Sequence, residues 1–454
     1  MSNVIDLYDQ TMFLGERATG TTSLLQCVWV YNRAVDIDGL RQFHRHLSQG
    51  RLSRRIERSP LPFGRHRWVA AGAQSDLEIV ESARPRTEFD TWLNQQANTP
   101  LDAEHGPGWH LAVLPFTDGG AGVSLVTTHC LTDGVGLCEV VAEAAAGRQD
   151  PISWPAAGSR RRRKALREDA RQTVRDIPAV GRAVVAASRF ARSQGDGPAA
   201  APVSQAPALS AGADESVTLP SETIFVDADE WDACAEALGG TSNTLLAGLA
   251  TRLAQRVGRL AADGSVALTL PVNERTFGDT RANAITNVDF TVDPARATTD
   301  LRGIRAAIKR ALIRSQEEPN ERFMLLPLAP LLPHWLVRRL VSLSAGCAAS
   351  VVSSNLGVVT PAAYRPDGTD ADHFVMKSLG PGVTKEVMHR LGGLLVLLSG
   401  RAQGRVFVSV LAYEPGRPNS KGELRRNLSG ALSDFSLTAT TGWPAAQSTD
   451  VVAV

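Results

Sequence analysis

One short run of this chain combines residue types that could do chemistry: Thr128-His129-Cys130-Leu131-Thr132-Asp133-Gly134, a histidine followed four residues later by Asp-Gly. An unperturbed imidazole has a pKa of about 6.5, so the neutral ring can accept a proton at cellular pH. An alcohol or amine attacking a thioester must lose a proton as the new bond forms. A positioned histidine that takes this proton contributes about 10²–10⁴-fold in rate. Asp133 can hold the turn or pair with a cation, and Gly134 lets a ligand approach the backbone. The same residues also fit a plainer reading, in which His129 is a buried strand-end histidine and Asp133 caps the next helix. Spacing alone leaves both readings open.

The surrounding pattern puts the motif at a junction. Residues 109–116 and 123–128 read as strands joined by a turn at Thr117-Asp118-Gly119-Gly120, and an apolar, alanine-rich helix is predicted over 135–146. Side chains and free backbone N–H groups often meet where a strand ends and a helix begins. Upstream, 24–31 reads as a strand and 37–47 as a helix. Arginines and a lysine at 160–164, 167, 171 and 175 open a basic helix running to about 192, and an Ala/Pro/Ser/Gly-rich linker follows. A second half then carries strands at 223–226, 266–272 and 285–292, helices at 228–238, 242–257 and 301–313, a hairpin at 393–398 and 405–412, and a last helix at 421–435. The expected organisation is a first unit at 1–193, a flexible linker at 194–217 and a second unit at 218–454.

With 454 residues, 43% hydrophobic and 21% charged, the composition is that of a soluble globular protein of about two domains. A formal net charge of +1 gives no reason to expect nucleic acid as a partner. The cysteines Cys27, Cys130, Cys138, Cys234 and Cys347 show no CxxC pair, which suits a reducing cytoplasm rather than a disulfide framework. Cys130, one residue beyond His129 at a strand end, is expected to point away from it and not to act as a nucleophile. The remaining histidines lack metal-ligand spacing, so no metal is expected. The N-terminus carries acid where a signal peptide carries base. The apolar stretch 323–343 is broken by Pro327, Pro330, Pro333, Arg338 and Arg339, so it does not read as a membrane span. The chain is expected in the cytoplasm, at most touching a membrane peripherally, and as a monomer. For the basic helix three readings stay open: a solvated helix, a dock for an acidic carrier protein or CoA phosphates, or contact with an anionic membrane surface.

Strand, His-x-x-x-Asp-Gly, then helix resembles the HHxxxDG motif of an acyltransferase superfamily. It includes nonribosomal peptide condensation domains, polyketide-associated acyltransferases and bacterial wax ester synthase/diacylglycerol acyltransferases. Further segments resemble it in order along the chain. Residues Ile5 to Leu14 (Ile-Asp-Leu-Tyr-Asp-Gln-Thr-Met-Phe-Leu) resemble the opening of the wax-synthase branch. Pro100-Leu101-Asp102 with Pro107-Gly108-Trp109 resembles the segment before the motif strand, and Thr241-Ser242-Asn243-Thr244 resembles that branch's Asn-Asp segment. Leu270-Pro271-Val272-Asn273-Glu274-Arg275 resembles the Pro-Val-x-x-Arg strand end, and Ser353-Ser354-Asn355-Leu356-Gly357 the Ser-Asn-x-x-Gly element.

The resemblance implies an α/β fold of two chloramphenicol acetyltransferase-like sandwich subdomains forming a pseudo-dimer around a central tunnel. It implies acyl transfer from a CoA or phosphopantetheinyl carrier-protein thioester to a small alcohol or amine acceptor, without an acyl-enzyme and without a bound cofactor. His129 falls on the general base and Asp133 on the motif carboxylate, which the family pairs with the arginine matched by Arg275. Gly134 falls on the glycine beside which the pantetheine arm passes. Trp109, Thr128, Asn243, Ser354 and Asn355 become candidates for the tunnel wall, although Trp109 suits core packing better and Asn243 equally suits a helix cap; Ser354 and Asn355 stand on a segment expected to cross near the site. Thr128 stands where the family has its first histidine, and Pro-Gly-Trp stands for Pro-Leu-Trp. Two alternatives accompany this reading: a wax ester or triacylglycerol synthase, and a non-catalytic domain that recruits a partner to a carrier protein.

Overall fold

The computed structural model describes residues 3–72, 75–148, 152–196, 215–276, 278–317, 321–333, 336–337 and 350–444. Most of the expected linker (197–214), His334, Cys347 and much of the stretch 323–343 lie outside the described residues.

The chain opens with helix α1 (Leu7–Thr19), started by Asp6, whose carboxylate accepts the Tyr8 N–H, and stopped by Gly20 in the left-handed region. Strand β1 (Leu24–Tyr31) follows, then α2 (Ile37–Leu47), β2 (Arg54–Glu57), β3 (Arg67–Ala70), β4 (Glu78–Ile79) and α3 (Phe89–Ala97). The pair β5 (Trp109–Pro115) and β6 (Ala121–Thr128) leads into α4 (Gly134–Ala145) and the long α5 (Arg162–Asp196). The second half runs β7 (Ser221–Asp227), α6 (Ala228–Ala237), α7 (Ser242–Val257), β8 (Val266–Asn273), β9 (Ile285–Val292), α8 (Arg302–Glu317) and α9 (Glu321–Leu325). It closes with β10 (Val351–Val358), β11 (His373–Leu379), α10 (Lys385–Arg390), β12 (Leu394–Ala402), β13 (Arg405–Tyr413), α11 (Lys421–Ser433) and β14 (Ala439–Thr441).

Two large sheets organise these elements. The first has the order β11-β1-β6-β5-β4 and the second β14-β7-β13-β12-β10-β8-β9. Every residue of β1 is buried, as expected for a strand covered on both faces. One core gathers Trp29, Phe43, Trp109 and Phe374 around the first sheet, and another gathers Trp231, Leu249, Val408 and Phe435 around the second.

Strand β11 comes from the second half of the chain but pairs with β1 in the first sheet, antiparallel, with Val375 opposite Val28. This corrects one expectation. Ser354 and Asn355 do not stand on the crossing segment; they stand on β10, inside the second sheet between β12 and β8. The segment that crosses is β11.

Candidate active site

The His129 turn is held from three sides. The backbone N–H of His129 donates to Ser23 O (2.9 Å), and that of Leu131 donates to Thr128 O (3.0 Å). Arg54 is buried beneath it, donating to Leu131 O (2.8 Å) and Thr280 O (2.6 Å), with its guanidinium 4.1 Å from the Trp68 ring centroid. Asp133 then caps α4: its Oδ1 accepts the Gly136 N–H at 2.6 Å. Its Oδ2 accepts Arg275 Nη2 at 2.6 Å and the Ala284 N–H at 2.8 Å. Both charged side chains are 2% exposed. Arg275 also donates to Ala282 O (2.9 Å) and Arg281 O (3.0 Å), so the desolvated pair retains most of its hydrogen bonds.

Two glycines make room for this arrangement. A Cβ on Gly136 would lie 2.9 Å from Arg275 Nη2 and 3.0 Å from Asp133 Oδ1, and one on Gly134 would lie 2.8 Å from Leu356 Cδ2. The Asp-Gly-x-Gly run therefore carries a requirement at its second glycine that spacing did not reveal.

His129 lines a cavity of about 130 Å³ together with Gly134, Ser354, Asn355, Leu356 and Ser378. Burial pushes the imidazole below its ordinary value; Asp133, the ring's own backbone carbonyl and the Asn283 side chain pull the other way and are outweighed. Burial thus favours the neutral form of the ring. Cys130 is fully buried, and burial pushes its thiol well up, so it is no nucleophile.

Asn283 and Asp9 were not singled out from sequence. Asn283 Nδ2 donates to the His129 carbonyl (3.1 Å) and to Asp9 Oδ1 (3.0 Å). Asp9 also accepts the backbone N–H groups of Asn283 and Ala282, both at 2.9 Å. Burial raises the Asp9 carboxyl to about 6 in spite of these bonds. A buried carboxylate on α1 thus fixes an asparagine from the second half against the backbone of His129. Asp9 lies within the N-terminal segment that carries the resemblance; nothing in the spacing marks Asn283.

Not every tunnel candidate reaches the cavity. Trp109 is fully buried in the first core, its ring 5.1 Å from that of His44. Thr128 is fully buried, and its hydroxyl accepts the Cys130 N–H at 3.3 Å. Both alternate into the packed interior of their strands rather than onto the cavity wall. Asn243 is outside the cavity lining but hydrogen-bonds Asn355, while the capping of α7 is done by Thr241 and Thr244. Ser378, on the crossing strand, joins the wall without any forewarning from sequence.

A larger, mainly apolar cavity of about 540 Å³ adjoins the His129 cavity and shares Ser378 and Val396 with it; Met12, Phe323, Leu326, Met388 and Leu391 lie on its wall. Beyond α4 lies a third cavity of about 600 Å³, lined by charged groups including Arg51, Glu139, Glu143 and Arg275. Among the described residues no group of three or more His, Cys, Asp or Glu is placed to hold a metal ion, and no helix is long and apolar enough to cross a membrane.

No protein-family model matches the chain, and no curated protein matches it by sequence. Solved structures do match over nearly its whole length. Polyketide synthase associated protein 5 from Mycobacterium tuberculosis is 13% identical with a TM-score of 0.55, covering 92% of this chain and 96% of its own. The first condensation domain of the CDA synthetase is 13% identical with a TM-score of 0.58, covering 96% of each chain. A mutant starter condensation domain of rhizomide synthetase, in complex with C8-CoA, is 12% identical with a TM-score of 0.52, covering 96% of this chain and 95% of its own. The fold is thus that of condensation domains, two chloramphenicol acetyltransferase-like halves in a pseudo-dimer, and it is the fold of the superfamily that the motifs resemble.

Proposed function

We propose that this protein is an acyltransferase that moves an acyl group from a CoA or carrier-protein thioester to an alcohol or amine, with His129 as general base. The observation that carries the reading is a half-buried imidazole on the wall of a cavity between the two sheets, with its backbone fixed from both halves. The ring's Nδ1 is buried without a hydrogen bond, as is Asn283 Oδ1. With Nδ1 carrying the proton toward its own carbonyl and Asn283, Nε2 is left to accept a proton from the acceptor.

The acceptor oxygen or nitrogen then attacks the thioester carbonyl as its proton passes to His129. A tetrahedral intermediate forms, and its collapse breaks the C–S bond while the proton goes to the departing thiol. Asn273, Ser354, Asn355 and Ser378 on the cavity wall offer hydrogen-bonding side chains to the developing oxyanion. The adjoining apolar cavity suits a hydrocarbon portion of donor or acceptor, and the charged cavity beyond α4 gives a second, polar side of approach. The structural match solved with C8-CoA holds an acyl-CoA on the same fold, which supports a thioester donor here.

The test is thiol release from a panel of acyl-CoAs and acyl-carrier proteins with alcohol and amine acceptors. The wild type should turn over at least one pair, and His129→Ala should lose about 10²–10⁴-fold while staying folded. Undiminished turnover in His129→Ala would exclude this mechanism.

A further inference from the structure

We propose that the outer face of α5 docks on an anionic phospholipid bilayer. The helix carries acidic residues at Glu168, Asp169 and Asp176 within the stretch 167–189, and the fold turns them toward the protein body. Asp169 is 1% exposed and is held by Arg67, Arg160 and Ser59 at 3.1, 2.8 and 2.7 Å. Asp176 lies 3.6 Å from Arg65, and Glu168 lies 3.6 Å from Arg160. The outward side keeps Arg167, Arg171, Arg175, Arg182 and Arg189, all exposed, with no exposed carboxylate among them. Over 167–189 the helix holds five arginines and three acidic residues in sequence, and with the acids turned inward its outer surface is cationic.

Beside the arginines runs an aliphatic stripe. Val174, Ile177, Val184 and Val185 are 64, 58, 55 and 50% exposed. At 3.6 residues per turn these positions share one side of the helix, and Arg171, Arg175, Arg182 and Arg189 line the adjacent side. Large apolar side chains are rarely left this exposed together on a surface that covers nothing. Apolar groups directed downward with arginines along their flank match the acyl and phosphate layers of a membrane interface.

Two observations favour a bilayer over an acidic protein as the occupant. The stripe from Arg167 to Arg189 is about 33 Å long at 1.5 Å per residue, the full width of a small domain, and a bilayer is flat over that length. The helix also packs on α9 and the turn after it, whose Phe323 and Leu326 wall the 540 Å³ apolar cavity. The proposed docking helix thus stands one packing layer from that apolar cavity.

Co-sedimentation of the full chain with phospholipid vesicles tests this without any turnover. The wild type should pellet with phosphatidylcholine vesicles containing phosphatidylglycerol, lose binding as salt rises, and stay in the supernatant with phosphatidylcholine alone. The triple variant Arg171→Gln/Arg175→Gln/Arg182→Gln should bind about 100-fold more weakly, roughly fivefold per arginine. Ile177→Ser/Val184→Ser should weaken binding with the arginines intact, and both variants should melt with the wild type. His129→Ala should pellet as the wild type does, so failed catalysis and failed docking are separable. Wild-type protein that ignores anionic vesicles, variants that pellet undiminished, or arginine-dependent capture of an acyl-carrier protein without vesicle binding would each overturn the proposal.

Discussion

Arg275 Nη2 lies 2.6 Å from Asp133 Oδ2, across 142 residues of sequence, and the bond ties the helix after His129 to a strand end in the other half. Removing one partner strands the other charge in a site only 2% exposed. Arg275→Ala is therefore expected to cost about 3–5 kcal/mol in denaturant unfolding. Arg275→Lys should recover little of it, because one ammonium cannot serve Asp133 and the carbonyls of Ala282 and Arg281 together.

Gly136 should tolerate even a methyl group poorly. Its added Cβ would press on Arg275 Nη2 and Asp133 Oδ1, so Gly136→Ala should destabilise by about 1–3 kcal/mol and slow turnover. Gly303 in α8 meets nothing within 4 Å, and Gly303→Ala should be neutral or stabilising by up to about 1 kcal/mol. Thermal melts of the two variants side by side separate crowding from helix propensity.

The pH–rate profile should reflect the burial of His129. A general base works unprotonated, and burial lowers the His129 ring from 6.5, so on the proposed mechanism kcat/KM should hold as pH falls past that value and decline only below it. Asn283 favours the protonated ring. Asn283→Ala should move the acid limb lower still and reduce kcat, whereas Asn283→Asp should move the limb up. A limb that stays in place in both variants would leave Asn283 no part in positioning the ring.

Glu16 gives a stability test of opposite sign. Its carboxyl, on the wall of the apolar cavity, is raised from 4.5 to about 7, mainly by burial. Between those values the folded chain holds a proton that the unfolded chain has released, so this group's contribution falls as pH rises through that window. Glu16→Gln keeps an acceptor for the Ser23 N–H, which Glu16 Oε1 receives at 3.1 Å. The variant should gain about 1–3 kcal/mol over wild type at about pH 8 and much less near pH 4, read from urea unfolding at both values.

The strand–turn–helix junction at His129 was legible because local signals define it: apolar strands, a Gly-Gly turn, and Asp-Gly before an alanine-rich helix. The fold was legible from ordered motifs rather than from periodicity. Asn283 and Asp9 were not legible as a pair, since their contact spans 274 residues and neither stands at a marked spacing. Trp109 packs in the core, the reading its sequence context favoured, and Thr128, a wall candidate by its place in the motif, joins it because both strands are covered on each face. Strand β11 escaped because Lys377 interrupts its apolar run; that lysine is buried over Trp443 and near Asp90.

Strand β11 also decides how the two halves hold together. Its backbone completes the first sheet beside β1, its Met376 carbonyl accepts a hydrogen bond from Ser409 on β13 at 2.8 Å, and its Ser378 faces the His129 cavity. The second half therefore lends the first a strand, much as two subunits exchange an arm. Fragments 1–196 and 215–454, produced separately, should each be left with an open sheet edge or an orphaned strand, and should regain a native state by complementation when mixed.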